Sequence, residues 1–226
     1  MSDDLSISQR RKDVLSRIKA AANWAKRDEG EITLVAVSKQ QPDARIKDMI
    51  AAGQTVFGEN RVQEAVARWG DTFKARRENI DLRLIGPLQS NKAVDAVRLF
   101  DVIETLDRDK LAKAIVNAAN KVGRMPKLFV QVNTGEEPQK SGIIPSELPA
   151  FLKRLKTEYN LTADGLMCIP PAGEAASPHF WFLKNMAEDN DLALLSMGMS
   201  GDFETAIKMG ATHVRVGSAL FGGRNP

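Results

Sequence analysis

Glu31-Ile-Thr-Leu-Val-Ala-Val-Ser-Lys39, followed by Gln40-Gln41-Pro42, is the stretch from which the fold is read. Its apolar and β-branched residues, bounded by Gly30 and Pro42, fit a short strand covered on both faces better than a helix segment, although periodicity alone allows either. Strand alternation sets Val35, Val37 and Lys39 on one face and Leu34, Ala36 and Ser38 on the other. If the strand ends in a concave site, the Lys39 amine points into it. An amine that loses part of its hydration there becomes a nucleophile for a carbonyl or aldehyde. On this segment alone, a solvated lysine at a strand end is the simpler account.

Working outward, the same strand-then-helix unit recurs. Residues 6–27 have helical spacing, with Val14, Leu15, Ile18, Ala22 and Ala25 on one face, and are expected to cover one end of the core. Further strands are expected at 55–57, 82–85, 101–104, 127–132, 162–167, 192–196 and 212–216. Helices are expected at 42–53, 61–77, 93–100, 107–122, 146–157, 178–190 and 202–209, the one at 146–157 capped by Ser146. Eight units in 226 residues, without a break in composition, match a single α/β domain over 1–226: a closed (β/α)8 TIM barrel with an extra N-terminal helix. An open doubly wound sheet is the alternative, because strand order is invisible in sequence.

Composition narrows the function classes. The 32 basic and 29 acidic residues are well mixed, and no basic stripe with interleaved aromatics points to nucleic acid. Cys168 is the only cysteine, which excludes an internal disulfide and a multi-thiolate metal site. No apolar run approaches a membrane span, and Met1-Ser-Asp-Asp-Leu5 lacks the pattern of a secretion signal, so a cytoplasmic protein is expected. His179 and His213 form no ligand motif, and neither a GxSxG elbow nor a dinucleotide fingerprint is present. Glu59, Glu104 and Glu137 lie near strand ends, where most carboxylates are solvated or cap helices.

In a barrel the loops after the last two strands commonly hold phosphate. Ser196-Met-Gly-Met-Ser-Gly201 offers backbone N–H groups and the Ser200 hydroxyl, while Gly217-Ser218 and Phe221-Gly-Gly223 follow strand eight. Either cluster alone is explained by tight turns; two at adjacent strand ends point to an anion. Arg215 shares a strand face with His213 and Gly217, so it faces the mouth or pairs with a structural carboxylate. One lysine, a phosphate cup and an arginine able to meet a ring nitrogen together describe pyridoxal 5′-phosphate.

Ala36-Val-Ser-Lys39, Phe57-Gly-Glu-Asn-Arg-Val-Gln-Glu64, Ile85-Gly-Pro-Leu-Gln-Ser-Asn-Lys92, Gln131-Val-Asn133 through Lys140-Ser-Gly142, Gly165-Leu-Met167, and Leu195-Ser-Met-Gly-Met-Ser200 through Val214-Arg-Val-Gly217 stand in one order. In these motifs the chain resembles the YggS/PROSC family of pyridoxal phosphate homeostasis proteins. The resemblance implies an alanine-racemase-type barrel without the racemase's second domain. It implies Lys39 as the Schiff-base lysine, Arg215 beside the pyridine nitrogen, and Ser200, Gly217 and Ser218 around the phosphate, with Asn60 lining the pocket. Arg83 stands where relatives often carry histidine, and Ser218 where threonine is frequent.

The rival reading is a fold-type III amino-acid racemase, which needs a second acid/base group on the far cofactor face. The one tyrosine, Tyr159, is expected away from the mouth, and with the sequence ending at Pro226 the racemase's extra domain is not expected. The expectation is therefore a monomeric, non-catalytic protein that buffers pyridoxal phosphate and delivers it, with transient contacts to apoenzymes. A phosphate-binding barrel without cofactor is the third reading.

Overall fold

The eight apolar runs form eight short parallel strands. These are β1 (Thr33–Val37), β2 (Val56–Glu59), β3 (Asp81–Leu84), β4 (Val102–Leu106), β5 (Lys127–Val132), β6 (Gly165–Cys168), β7 (Leu194–Ser196) and β8 (His213–Val216). Their order around the sheet is their order in the chain. β8 pairs back onto β1, with Val35 beside Arg215 and Ala36 beside Val216, so the barrel closes and the open-sheet alternative falls. The computed structural model describes residues 5–223; the ends of the expected 1–226 domain lie outside the described residues.

Closure divides each strand between two environments. Leu34, Ala36, Phe57, Leu82 and Val214 join the main core between sheet and helices, whereas Val102, Phe129 and Met167 pack with Leu194 as a separate cluster inside the barrel. Each large side chain taken fully from water stabilises the fold by about 1.5–3 kcal/mol.

The outer ring comprises α2 (Asp43–Ala51), α3 (Val62–Ala65), α4 (Ala93–Leu99), α5 (Asp109–Val122), α6 (Leu148–Tyr159), α7 (Ala176–Glu188), α8 (Phe203–Lys208) and the short α9 (Ser218–Phe221), after the N-terminal α1 (Ile7–Trp24). Ser6 caps α1 by accepting the Gln9 N–H at 3.2 Å. α1 does not cover an end of the barrel as expected. It packs against α2, α8 and α9, taking the place in the ring that the four-residue α9 is too short to fill. Its buried face is Val14, Ile18, Ala21 and Ala22; Leu15 is exposed and Ala25 is the C-cap.

Three further expectations change. Residues 61–77 are not one α-helix: α3 widens into a π-helical segment, Val66–Thr72, before a 3-10 stretch, Lys74–Asn79. The widened turn lets the consecutive Arg68 and Trp69 reach the same carboxylate, Glu59, at 2.9 and 3.1 Å. Strand six starts at Gly165, because the Asp164 carboxylate accepts the Leu128 N–H at 2.8 Å in place of a ladder carbonyl. Ser146 caps nothing; Pro145–Glu147 forms a 3-10 turn and α6 starts without a side-chain cap. No helix among the described residues is long and apolar enough to cross a membrane.

Candidate functional site

At the C-terminal ends of the strands lies a cavity of about 300 Å³. Lys39, Asn60, Ser200, Arg215, Gly217 and Ser218, the six residues singled out in the sequence, all line it. Val37 and Ile85 supply apolar wall, and the part-exposed Ile169 and Met199 also line it.

Each polar group is held from behind. The loop bearing Lys39 leaves β1, and Gln40 takes a left-handed conformation with φ +58°. Arg68 donates to the carbonyls on both sides of the lysine, Ser38 O at 3.1 Å and Gln41 O at 2.9 Å. Its guanidinium is anchored in turn on the wholly buried Glu59, whose Oε1 also accepts the Ser38 hydroxyl at 2.7 Å. Asn60 follows β2, and its backbone lies against Gly86, where any Cβ would stand 2.2 Å from Asn60 O. Only glycine fits there.

Ser200 joins the two loops expected to hold an anion. Its hydroxyl oxygen accepts the N–H of Gly217 at 3.1 Å and of Ala219 at 3.4 Å, which leaves the hydroxyl proton to donate elsewhere. The turn leading to it depends on Gly198 at φ +91°, where a Cβ would meet the Ala206 Cβ at 2.5 Å.

Arg215 is buried but reaches the cavity wall. Its guanidinium donates to Ser196 Oγ at 2.8 Å and to Cys168 O at 2.8 Å, and among the described residues it makes no ion pair with a carboxylate. The expected alternative of a direct structural carboxylate is therefore replaced by a hydroxyl and a carbonyl.

Residues 14–225 match the family model described as alanine racemase, N-terminal domain. The pyridoxal phosphate homeostasis protein of Pseudomonas aeruginosa is 41% identical over 219 residues, covering 94% of this chain and 93% of that protein. This chain belongs to the pyridoxal phosphate homeostasis protein family. Among solved structures, PipY of Synechococcus elongatus with PLP bound is 38% identical, with a TM-score of 0.77 over 91% of this chain and 100% of that one. Alanine racemase from Streptomyces coelicolor A3(2) has a TM-score of 0.69 at 19% identity, covering 93% of this chain and 58% of the racemase; that likeness shows the fold alone.

Within this homeostasis-family barrel the structure adds groups that the sequence reading passed over. Glu59 and Glu104 are neither solvated nor helix caps; both are fully buried. Glu104 accepts from Arg83 at 2.7 Å and from the Ser196 hydroxyl at 2.6 Å. Burial alone would raise its pKa, but Arg83, Arg215 and Ser196 hold it below the ordinary carboxylate value. Arg83, the departure from the family's frequent histidine, thus has a buried ionic partner. The available signal was a lone carboxylate within the apolar run Val102–Leu106, but its partner could not be named without the strand register.

Other reactive groups stand aside. Burial, with Arg83 next, lowers the His213 pKa to about 4, so its imidazole is neutral at neutral pH. Burial pushes the Cys168 thiol up to about 12. His179 contacts Thr134 and Glu174, both at 3.1 Å, and does not line the cavity.

Proposed function

We propose that this protein holds pyridoxal 5′-phosphate as an internal aldimine on Lys39 and serves its homeostasis in the cytoplasm, buffering and delivering the cofactor without racemase activity. The observation that carries the reading is the donor set around one cavity: an amine, a guanidinium and a two-loop cradle. Among the described lining residues there is no carboxylate, imidazole, phenol or thiol. Such a lining suits a phosphorylated aldehyde. The cradle and Arg215 offer hydrogen-bond donors and positive charge, no carboxylate repels the phosphate, and Lys39 is the one nucleophile.

In this reading Ser200, Gly217 and Ser218 hold the phosphate, Arg215 faces the ring nitrogen, and Asn60 flanks the ring. When bound, the cofactor supplies an aldehyde carbon for the lysine and an electron sink. An arginine keeps the ring nitrogen unprotonated and weakens that sink. Racemisation also needs a second acid or base. Tyr159 ends α6 in the outer ring and does not line the cavity. The absence of a lining acid supports a carrier, and so do the homeostasis proteins and PLP-bound PipY to which the chain is similar. The working state is a monomer that meets recipient apoenzymes transiently, with neither nucleic acid nor membrane as partner.

Incubation with pyridoxal phosphate followed by borohydride reduction is expected to fix the label on Lys39 and to leave Lys39→Ala unlabelled with an unchanged spectrum. Labelling elsewhere, or none, sinks the reading. Sustained racemisation of alanine or serine by the loaded protein would favour the enzyme instead.

A further inference from the structure

Beneath the cavity, a buried polar chain crosses the inside of the barrel. Arg83 on β3 donates to Glu104 Oε1 at 2.7 Å, Ser196 on β7 donates to Glu104 Oε2 at 2.6 Å, and Arg215 on β8 donates to Ser196 Oγ at 2.8 Å. β4 and β7 are not neighbours in the barrel, so the Glu104–Ser196 bond spans its lumen. None of the four side chains belongs to a residue more than 5% exposed: Arg83 is at 4%, Glu104 at 0%, Ser196 at 0% and Arg215 at 3%.

The direction of the chain follows from valence. Ser196 has one proton, an ionised Glu104 can only accept, and Arg215 can only donate. The hydroxyl proton therefore belongs to Glu104 and a hydroxyl lone pair to Arg215, so the carboxylate charge strengthens the acceptor that Arg215 uses. The other terminal nitrogen of Arg215 donates to Cys168 O at 2.8 Å. Two bonds fix the planar guanidinium, and its remaining N–H groups are available to the cavity.

Stability does not account for this arrangement, because a buried ion pair seldom outperforms a well-packed apolar layer. The barrel contains such a layer two residues earlier on the same strands: Val102 precedes Glu104, and Leu194 precedes Ser196. Of the residues in the polar chain, Arg215 also lines the cavity.

We propose that Glu104, acting through Ser196, is a positioning residue for Arg215, fixing the guanidinium toward the ring nitrogen of the bound cofactor, with Arg83 as the counter-charge that holds Glu104. This rests on the cofactor reading above. Arg83 thereby acquires a role without touching the ligand.

The test uses full-length protein loaded with ring-15N pyridoxal phosphate, after borohydride labelling of Lys39 has been established. The unsubstituted protein is expected to show a hydrogen-bonded, unprotonated ring nitrogen by NMR. In Ser196→Ala and Glu104→Gln the signal is expected to move toward that of an unbonded pyridine while Lys39 still labels, and affinity to fall about 3- to 10-fold, the worth of one hydrogen bond. An unchanged ring signal in folded Ser196→Ala overturns the proposal, and that smaller variant decides the matter if Glu104→Gln does not fold. No labelling of the unsubstituted protein overturns the cofactor reading itself, and the relay falls with it.

Discussion

Two wholly buried glutamates serve the two ends of one cavity in different ways. Glu104, inside the barrel, uses both oxygens and is flanked by Arg83 directly and by Arg215 through Ser196. Glu59, on the helix side of the sheet, gathers Ser38, Arg68 and Trp69 on Oε1 alone, and among the described residues its Oε2 has no hydrogen-bond partner. The first sets a guanidinium within rigid strands. The second holds a loop, because Arg68 passes the anchorage on to the carbonyls of Ser38 and Gln41. A side chain on a strand needs only orientation, whereas an amine beyond a strand end also needs its backbone fixed.

The sharpest way to break this comparison is Glu104→Leu, which leaves the buried Arg83 with only the part-exposed Asp81, at 3.2 Å, as an ionic partner. A loss of about 3–5 kcal/mol is expected in urea unfolding, and a loss below 1 kcal/mol would mean that the inner chain carries little charge cost. Next comes acid. His213 has its pKa lowered to about 4 by burial, so between its ordinary value near 6.5 and 4 the unfolded chain binds the extra proton. Stability should therefore fall by about 3 kcal/mol as pH drops through that window. His213→Gln is expected to flatten the decline when unfolding is followed across the same range. Glu104, with its pKa lowered, adds its own loss only below the ordinary carboxylate range.

The outer brace should yield smaller changes in stability but larger ones at the lysine. Arg68→Met is expected to cost about 2 kcal/mol, since the side chain is part-exposed and the Glu59 it leaves behind still accepts from the Ser38 hydroxyl and the Trp69 N–H. It should slow labelling of Lys39 while leaving the ring-nitrogen signal unmoved. Ser38→Ala, which removes one buried hydroxyl, should cost about 1 kcal/mol by thermal melting. If either outer variant shifted the ring nitrogen, the two braces would be one coupled network.

The barrel was legible because each strand is an apolar run bounded by turn residues, and period two grouped Lys39 with Val35 and Val37, and Arg215 with His213 and Gly217, although which face turns inward needed the closed sheet. Five of the six cavity residues were read at strand ends, which a barrel gathers at one face whatever the details of packing; Asn60 came only from the family resemblance. The braces were not legible. Glu104 and Ser196 lie on strands three places apart, and only the register shows that they meet. The π-helical segment was hidden because its apolar spacing near Trp69 differs too little from that of an α-helix. The placement of α1 depended on how short the final helix is, which is a property of the whole ring.

Closure of β8 onto β1 has a consequence for the order of events during synthesis. Lys39 leaves the ribosome early, but Arg215 lies on the strand that closes onto β1, with Gly217 and Ser218 just after it, at nearly the longest sequence separation the chain contains. Contacts this remote form late in folding. A partly made chain exposes the lysine without the loops that line the cavity beside it, so under the proposed function cofactor capture would signal that the barrel is complete.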